Sequence, residues 1–259
     1  MRPFPCQANV SHRAGAATPF PASENSVAHV VAGLRMGLVC GLSMLALLVP
    51  NASPSKTGES RSATDASAAK STTPRRADLG QIPVSDQLKR IAHWSAATHD
   101  HGAMPFVVVD KQAARLYVFD ASARLQADTA VLIGSAVGDL SVPGIGLKAI
   151  ADVQPEERTT PAGRFNGEWG RTLTGEDVVW VDYEAAVSMH RVRSHQPKER
   201  RLQRLASETI EDNRISYGCI NVPVDFFDTH LLPVFSTMAA RVYVLPDHLT
   251  LEEVFGPLF

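Results

Sequence analysis

Arg214-Ile215-Ser216-Tyr217-Gly218-Cys219-Ile220-Asn221-Val222-Pro223 sets a cysteine directly behind a glycine, with a hydroxyl residue three positions before it and an asparagine two after it. Gly218 can take backbone angles closed to other residues, so the chain can turn sharply here and hold the thiol at a rim. The N–H groups of such a turn can converge on one spot, as an oxyanion hole requires. The competing reading makes Cys219 a small buried hydrophobe, the commonest fate of a free cysteine.

The rest of the chain bears on that choice. The 259 residues include three cysteines, Cys6, Cys40 and Cys219, and the first two fall in an N-terminal segment that reads as a leader. Gly37 to Val49 is an uncharged apolar run behind Arg35, the pattern of a secretory signal. It is shorter than the ~20 residues of a membrane-spanning helix, although an uncleaved anchor fits as well. Residues 1–50 are therefore expected to export the chain to the periplasm or cell-wall face, or to tether it there, with membrane contact through this segment alone. Removal of the leader would leave one thiol. A single cysteine in an exported protein is flagged as reactive rather than structural. Residues 51–78 are rich in Ser, Ala, Thr and Lys, with almost no large apolar side chain. Such a segment cannot bury enough surface to offset its ordering entropy, and a disordered tether is expected. A net charge of -2 gives no electrostatic case for nucleic acid.

Folded structure is expected from residue 79 onward. Residues 79–103 form a helical lead-in, with Val84, Leu88, Ile91 and Trp94 at helical spacing and Ser85 as its N-cap. His93, His99 and His101 read as surface or packing residues. Residues 104–259 form a mainly β domain of hairpins with a few flanking helices. Phe106 to Val109 and Leu116 to Phe119 pair first, Leu125 to Gly134 follows, and Val178 to Tyr183 and Ala185 to His190 are again β-like. Gly138, Pro143, Gly144 and Gly146 mark a loop. No helix follows it as a phosphate-binding glycine loop requires, which excludes a nucleotide site. Arg191 to Asn213 is a charged excursion, read as a solvated face or as a cover over the site. Phe226 to Met238 is expected to be helical despite Pro233, Arg241 to Leu245 a last strand, and Leu249 to Phe255 a closing helix.

A thiol attacks a carbonyl as thiolate, and a histidine in hydrogen-bond reach supplies the activation. His190, His195 and His230 are the candidates. His190 is favoured because it ends the run Ala185-Ala186-Val187-Ser188-Met189 and so has a backbone fixed in the sheet. No fourth ligand stands out for a zinc site on His190, His195 and Cys219; neither a metal nor an organic cofactor is expected.

Ser216-Tyr217-Gly218-Cys219-Ile220-Asn221 behind a strand-borne histidine resembles the catalytic domain of the L,D-transpeptidases (YkuD type). Thr160-Pro161-Ala162-Gly163-Arg164-Phe165 resembles the Thr-Pro-x-Gly-x-Phe element of that family, and the Val107-to-Phe119 hairpin its opening. Tyr217 stands where the family usually has histidine, Arg191 replaces the common glycine after the catalytic histidine, and the gap from His190 to Cys219 is long. The resemblance implies a β-sandwich or barrel and a cysteine acyltransferase of peptidoglycan. Cys219, activated by His190, would attack the diamino acid–D-Ala bond of a stem peptide, and the N–H groups of Tyr217, Gly218 and Cys219 would hold the oxyanion. Ser216 and Asn221 would order the substrate site. Arg214 would bind a substrate carboxylate, a role suggested by its charge and nearness. The thioester would pass to the amine of a second stem as a 3→3 crosslink, to a protein lysine, or to water. Two alternatives are a silent wall-binding module on the same fold and an L,D-carboxypeptidase-type hydrolase. A monomer is expected.

Overall fold

The computed structural model describes residues 75–258; the segments expected to be a leader and most of a tether lie outside the described residues. The chain has already joined the fold at Ala77, which is buried, and at Asp78. The Asp78 N–H donates to the Ala123 carbonyl at 2.9 Å, and its carbonyl accepts from the Leu125 N–H at 2.8 Å.

Ten strands follow in order: β1 (Phe106–Asp110), β2 (Arg115–Phe119), β3 (Leu125–Ala130), β4 (Ile133–Gly134), β5 (Gly163–Arg171), β6 (Asp177–Asp182), β7 (Val187–Arg191), β8 (Arg214–Ser216), β9 (Ile220–Val222) and β10 (Ala240–Val244). Eight of them make one sheet in the order β3-β2-β1-β10-β5-β6-β7-β9, while β4 and β8 pair by themselves. The domain is mainly β, as its strand-rich sequence indicates. The 125–134 run, which reads as one strand, is two: after Ala130 the chain leaves β2 and runs parallel to β8. The strand ahead of His190 starts at Val187, because residues 183–186 turn, with the Ala185 N–H bonded to Asp182 Oδ1.

β1 carries no polar face because both of its sides are covered. Val107 and Val109 join a cluster with Val118, Met189, Ile220, Val222 and Phe227. Phe106 and Val108 join Leu88, Ile91, Trp94, Phe119 and Tyr243 on the opposite side. Period-two alternation thus feeds two cores from one strand. The second core is closed by helix α1 (Asp86–Thr98), where Ser85 Oγ accepts from the Leu88 N–H at 3.0 Å. The lead-in therefore shares its core with the strands. Helical pieces over Val224–Phe226, Phe227–Leu231 and Leu232–Phe235 cap the first core, and no helix of the described residues is long and apolar enough to cross a membrane.

A buried ionic knot ties the loops together. The Lys111 side chain is fully buried, and its ammonium donates to the Gly138 and Thr160 carbonyls and to Asp139 Oδ1, at 2.6, 3.0 and 2.8 Å. It also pairs with Asp247 at 3.3 Å. Burial alone would raise the Asp139 pKa, but Lys111 and the backbone N–H groups of Leu249, Asp247 and His248 hold it well below the carboxylate range. With the folded pKa depressed, this contribution to stability is complete above the unfolded pKa of about 3.9. It is lost as pH falls through the folded value. Lys111→Met strips the cation from two buried carboxylates and should cost about 3–5 kcal/mol. Urea unfolding at neutral pH reads this directly, and a loss below about 1 kcal/mol would show that the knot is not held by charge.

Candidate active site

β7 and β9 lie side by side and parallel, with Met189 opposite Ile220, His190 opposite Asn221 and Arg191 opposite Val222. Paired residues point to the same side and successive ones alternate. Met189, Ile220 and Val222 therefore enter the core. His190 and Asn221 emerge on the other face, and one step back Ser188 and Cys219 emerge beside them. Contact confirms the pairing, with the Ser188 hydroxyl 3.8 Å from Cys219 Sγ. The thiol also donates to the Ala186 carbonyl at 3.6 Å. Cys219 is partly exposed, not sealed among aliphatic side chains. His195 is exposed in the excursion, and His230 stacks on Phe226 on the helical run. Of the three histidines, the parallel ladder puts His190 on the cysteine's face.

His190 is buried, and its Nδ1 lies 2.8 Å from the Arg191 carbonyl. A carbonyl can only accept, so Nδ1 carries the ring proton and Nε2 is left as the basic nitrogen. Burial first, and then the Arg193 cation, lower the imidazole pKa to about 4. It is neutral at physiological pH. The imidazole therefore supplies no cation to the sulfur at rest.

The turn carrying Cys219 is clamped from within and from below. Ser216 Oγ donates to the Cys219 carbonyl at 2.6 Å and accepts from the Gly218 N–H at 3.1 Å. Thr160 Oγ1 donates to the Gly218 carbonyl at 2.8 Å and accepts from the Gly134 N–H at 2.9 Å. Gly218 has φ +126°, and a Cβ there would lie 2.7 Å from the Thr159 carbonyl oxygen. Glycine is required on both counts. The Tyr217 ring projects outward, with the Arg158 guanidinium 4.2 Å from its centroid.

Several expectations change. The Gly218 N–H is spent on the Ser216 hydroxyl at 3.1 Å and does not point at an open site. Ser216 is buried and shapes the turn. Asn221 is fully buried: its Nδ2 donates to the Cys219 carbonyl at 3.2 Å and its backbone bonds to Leu132. Its Oδ1 accepts from Arg201. It too orders the turn from within the fold. Arg214 is bound to Asp247 at 2.7 Å and to the carbonyls of Lys111 and Ala136, so its charge is joined to the ionic knot. Sequence reasoning missed Ser188 and Arg201, and it singled out Thr160 only as part of the Thr-Pro element, without a role at the turn. Strand alternation around His190 could have indicated Ser188; no local signal marks Arg201. Among the described residues no group of three or more His, Cys, Asp or Glu is placed to hold a metal.

No protein-family profile matches the chain, and no curated protein matches it. Solved structures do. Six of the matching structures are L,D-transpeptidases. L,D-transpeptidase 1 of Mycobacterium tuberculosis is similar over 54% of this chain and 61% of its own, at 15% identity and a TM-score of 0.31. The helical cell shape determining protein Pgp2 of Campylobacter jejuni matches over 65% of this chain and 58% of its own, at 13% identity and a TM-score of 0.37. A fused Zn-dependent amidase/peptidase/peptidoglycan-binding domain protein of Clostridium acetobutylicum matches over 63% of this chain and 65% of its own, at 13% identity and a TM-score of 0.31. The chain spans less than two-thirds of the length of each of these three.

Thr160→Val removes the hydroxyl that serves both Gly134 and Gly218, leaving a buried donor and a buried acceptor unpaired. A loss of about 1–3 kcal/mol is expected in urea unfolding. The alkylation rate of Cys219 by iodoacetamide should change as the turn loosens. An unaltered rate with unaltered stability would mean that Thr160 does not support the turn.

Proposed function

We propose that the chain is a cysteine acyltransferase of peptidoglycan stem peptides, working outside the cytoplasmic membrane behind its N-terminal segment. The observation that carries this reading is a thiol in a glycine-locked turn on the same strand pair as a buried, neutral histidine whose Nδ1 proton is fixed. The family-like elements converge on that place. Thr160 of the Thr-Pro element holds the Gly218 carbonyl of the Ser-Tyr-Gly-Cys element.

The reaction follows from these states. As Cys219 Sγ attacks the carbonyl of the diamino acid–D-Ala bond, its proton passes to His190 Nε2 and the C=O π electrons move onto oxygen. The N–H groups of Tyr217 and Cys219 take the oxyanion. Collapse of the intermediate breaks the C–N bond, and His190 returns the proton to the leaving D-Ala nitrogen. A thioester remains on Cys219. The amine of a second stem then attacks it, losing a proton to His190. The C–S bond breaks, the thiol is re-protonated, and a 3→3 crosslink results. Water in place of the amine gives a tripeptide. Because the resting imidazole has a pKa of about 4, a persistent thiolate–imidazolium pair is disfavoured, and proton transfer accompanies attack.

Imipenem added to the purified protein should leave one covalent adduct on Cys219, seen as a mass increase of the intact chain. Cys219→Ala should remove it, and His190→Gln should slow it by about 100-fold or more. Absence of an adduct on the folded wild-type protein would favour a silent module. Muropeptide digests containing tripeptides but no crosslinked dimers would favour a hydrolase.

The acylation rate should stay flat from pH 8 to pH 5 and fall only near pH 4, because the base remains neutral over that window. A half-maximal rate near pH 6.5 would contradict the buried state of His190. Stability moves in the same sense. With its folded pKa depressed, His190 contributes fully above the unfolded value of about 6.5, and this contribution is lost as pH falls toward about 4.

A further inference from the structure

The excursion between β7 and β8 returns one side chain to the cysteine face. Helix α2 (Arg201–Leu205) begins with Arg201, whose Nη1 donates to Asn221 Oδ1 and whose Nε donates to Glu199 Oε2 at 2.6 Å. Asn221 is the ladder partner of His190, and its amide also bonds the Cys219 carbonyl. The guanidinium is thus two hydrogen bonds from the nucleophile's own backbone. It is held there with its side chain 13% exposed.

A guanidinium has five N–H donors, and Arg201 spends two of them. One goes to a single carboxylate oxygen and the other to a neutral amide, so the planar fork that suits a carboxylate remains incompletely used. Arg201 is itself ion-paired with Glu199 at 2.6 Å, as the neighbouring cations are with their own carboxylates; what sets it apart is the bond to Asn221, which ties it to the cysteine turn. Arg193 is matched by Glu176 at 2.7 Å and Arg191 by Asp228. Arg214, the other arginine near the turn, is consumed by Asp247. Charge from Arg193 and Arg201 also reaches the imidazole and disfavours its protonation. An anion bound at Arg201 would oppose that effect at the moment His190 takes the thiol proton.

We propose that Arg201 is the carboxylate anchor of this site, carried to the cysteine face by the excursion, and that the acyl donor is selected through an anionic group beside the bond that breaks. This rests on the acyltransferase reading for the identity of the donor but not for the existence of the anion site. Two carboxylates of a stem tetrapeptide share that chemistry: the terminal one of the leaving residue and the side-chain one of the diamino acid.

The charge is read with a matched pair of thiol reagents, iodoacetate and iodoacetamide, on the full chain. Arg201→Gln should lower the ratio of the two alkylation rates at Cys219 by about tenfold, equivalent to about 1.4 kcal/mol. Arg201→Lys should recover part of the ratio, and Glu199→Gln should raise it. A merely structural arginine would shift both rates together and leave the ratio unchanged, which overturns the proposal. In turnover, amidating one of the two carboxylates should raise KM about tenfold in the wild type with kcat little changed, and should have little further effect in Arg201→Gln. The amidated position that does so identifies the anchored group. Equal sensitivity of wild type and variant to both amidations also overturns the proposal. If imipenem leaves no adduct yet the reagent ratio responds, the anion site stands and the acyltransferase reading fails. If imipenem reacts while the ratio and both amidations are indifferent to Arg201, only the anchor fails.

Discussion

The site depends on one constraint, the parallel pairing of β7 with β9. A parallel ladder brings two segments of like direction side by side at a fixed register, so residues 188 and 190 meet residues 219 and 221 on one face with no loop needed to aim them. The apolar alternates Met189, Ile220 and Val222 hold that register, because a one-residue slip would turn His190 into the core and Met189 to the outside. Cys219 and His190 are thus held by the same force that buries the core. That is the economy of building a site on strands rather than on loops.

The ladder ends where Cys219 leaves β9, so the turn needs its own supports. They come from a distant part of the chain. Lys111 binds the Thr160 carbonyl while the Thr160 hydroxyl binds the Gly218 carbonyl, and Arg214, at the start of the strand leading into the turn, is tied to Asp247 of the same knot. A fully buried ammonium is expensive unless every proton finds an acceptor. Here the acceptors are the segments that must not move relative to the cysteine.

Much of this was readable in the sequence, and the rest was not, for physical reasons. The β1–β2 hairpin and α1 declare themselves because burial imposes period two and period 3.6 on the residue types. Cys219 and His190 were readable because Gly-Cys in a polar turn and a histidine ending an apolar run are local patterns. Arg214 misled because charge and nearness in sequence say nothing of Asp247, 33 residues on. The break of the 125–134 run into β3 and β4 was hidden because both halves have the same strand-like composition, and only tertiary pairing with β8 separates them. Arg201 was hidden more deeply. In a segment dense in charge every arginine looks alike, and what distinguishes this one is Asn221, reached across the fold.

Two neighbours of the sulfur pull its ionisation in opposite directions. The Ala186 carbonyl, presented by a residue with φ +54°, can only accept and so favours the protonated thiol. The Ser188 hydroxyl can donate and so favours the thiolate. Non-glycine residues at positive φ are uncommon, and holding one costs on the order of 1–3 kcal/mol. The turn at 183–186 meets that cost while aiming a carbonyl at Sγ. A neutral imidazole adds to the same bias, since it supplies no cation to hold a thiolate. In an oxidising compartment the thiolate is the form lost to disulfides and sulfenic acid. On the proposed reading, the carbonyl beside the sulfur and the uncharged imidazole both disfavour a standing thiolate, so ionisation of the thiol would accompany its attack on the acyl donor.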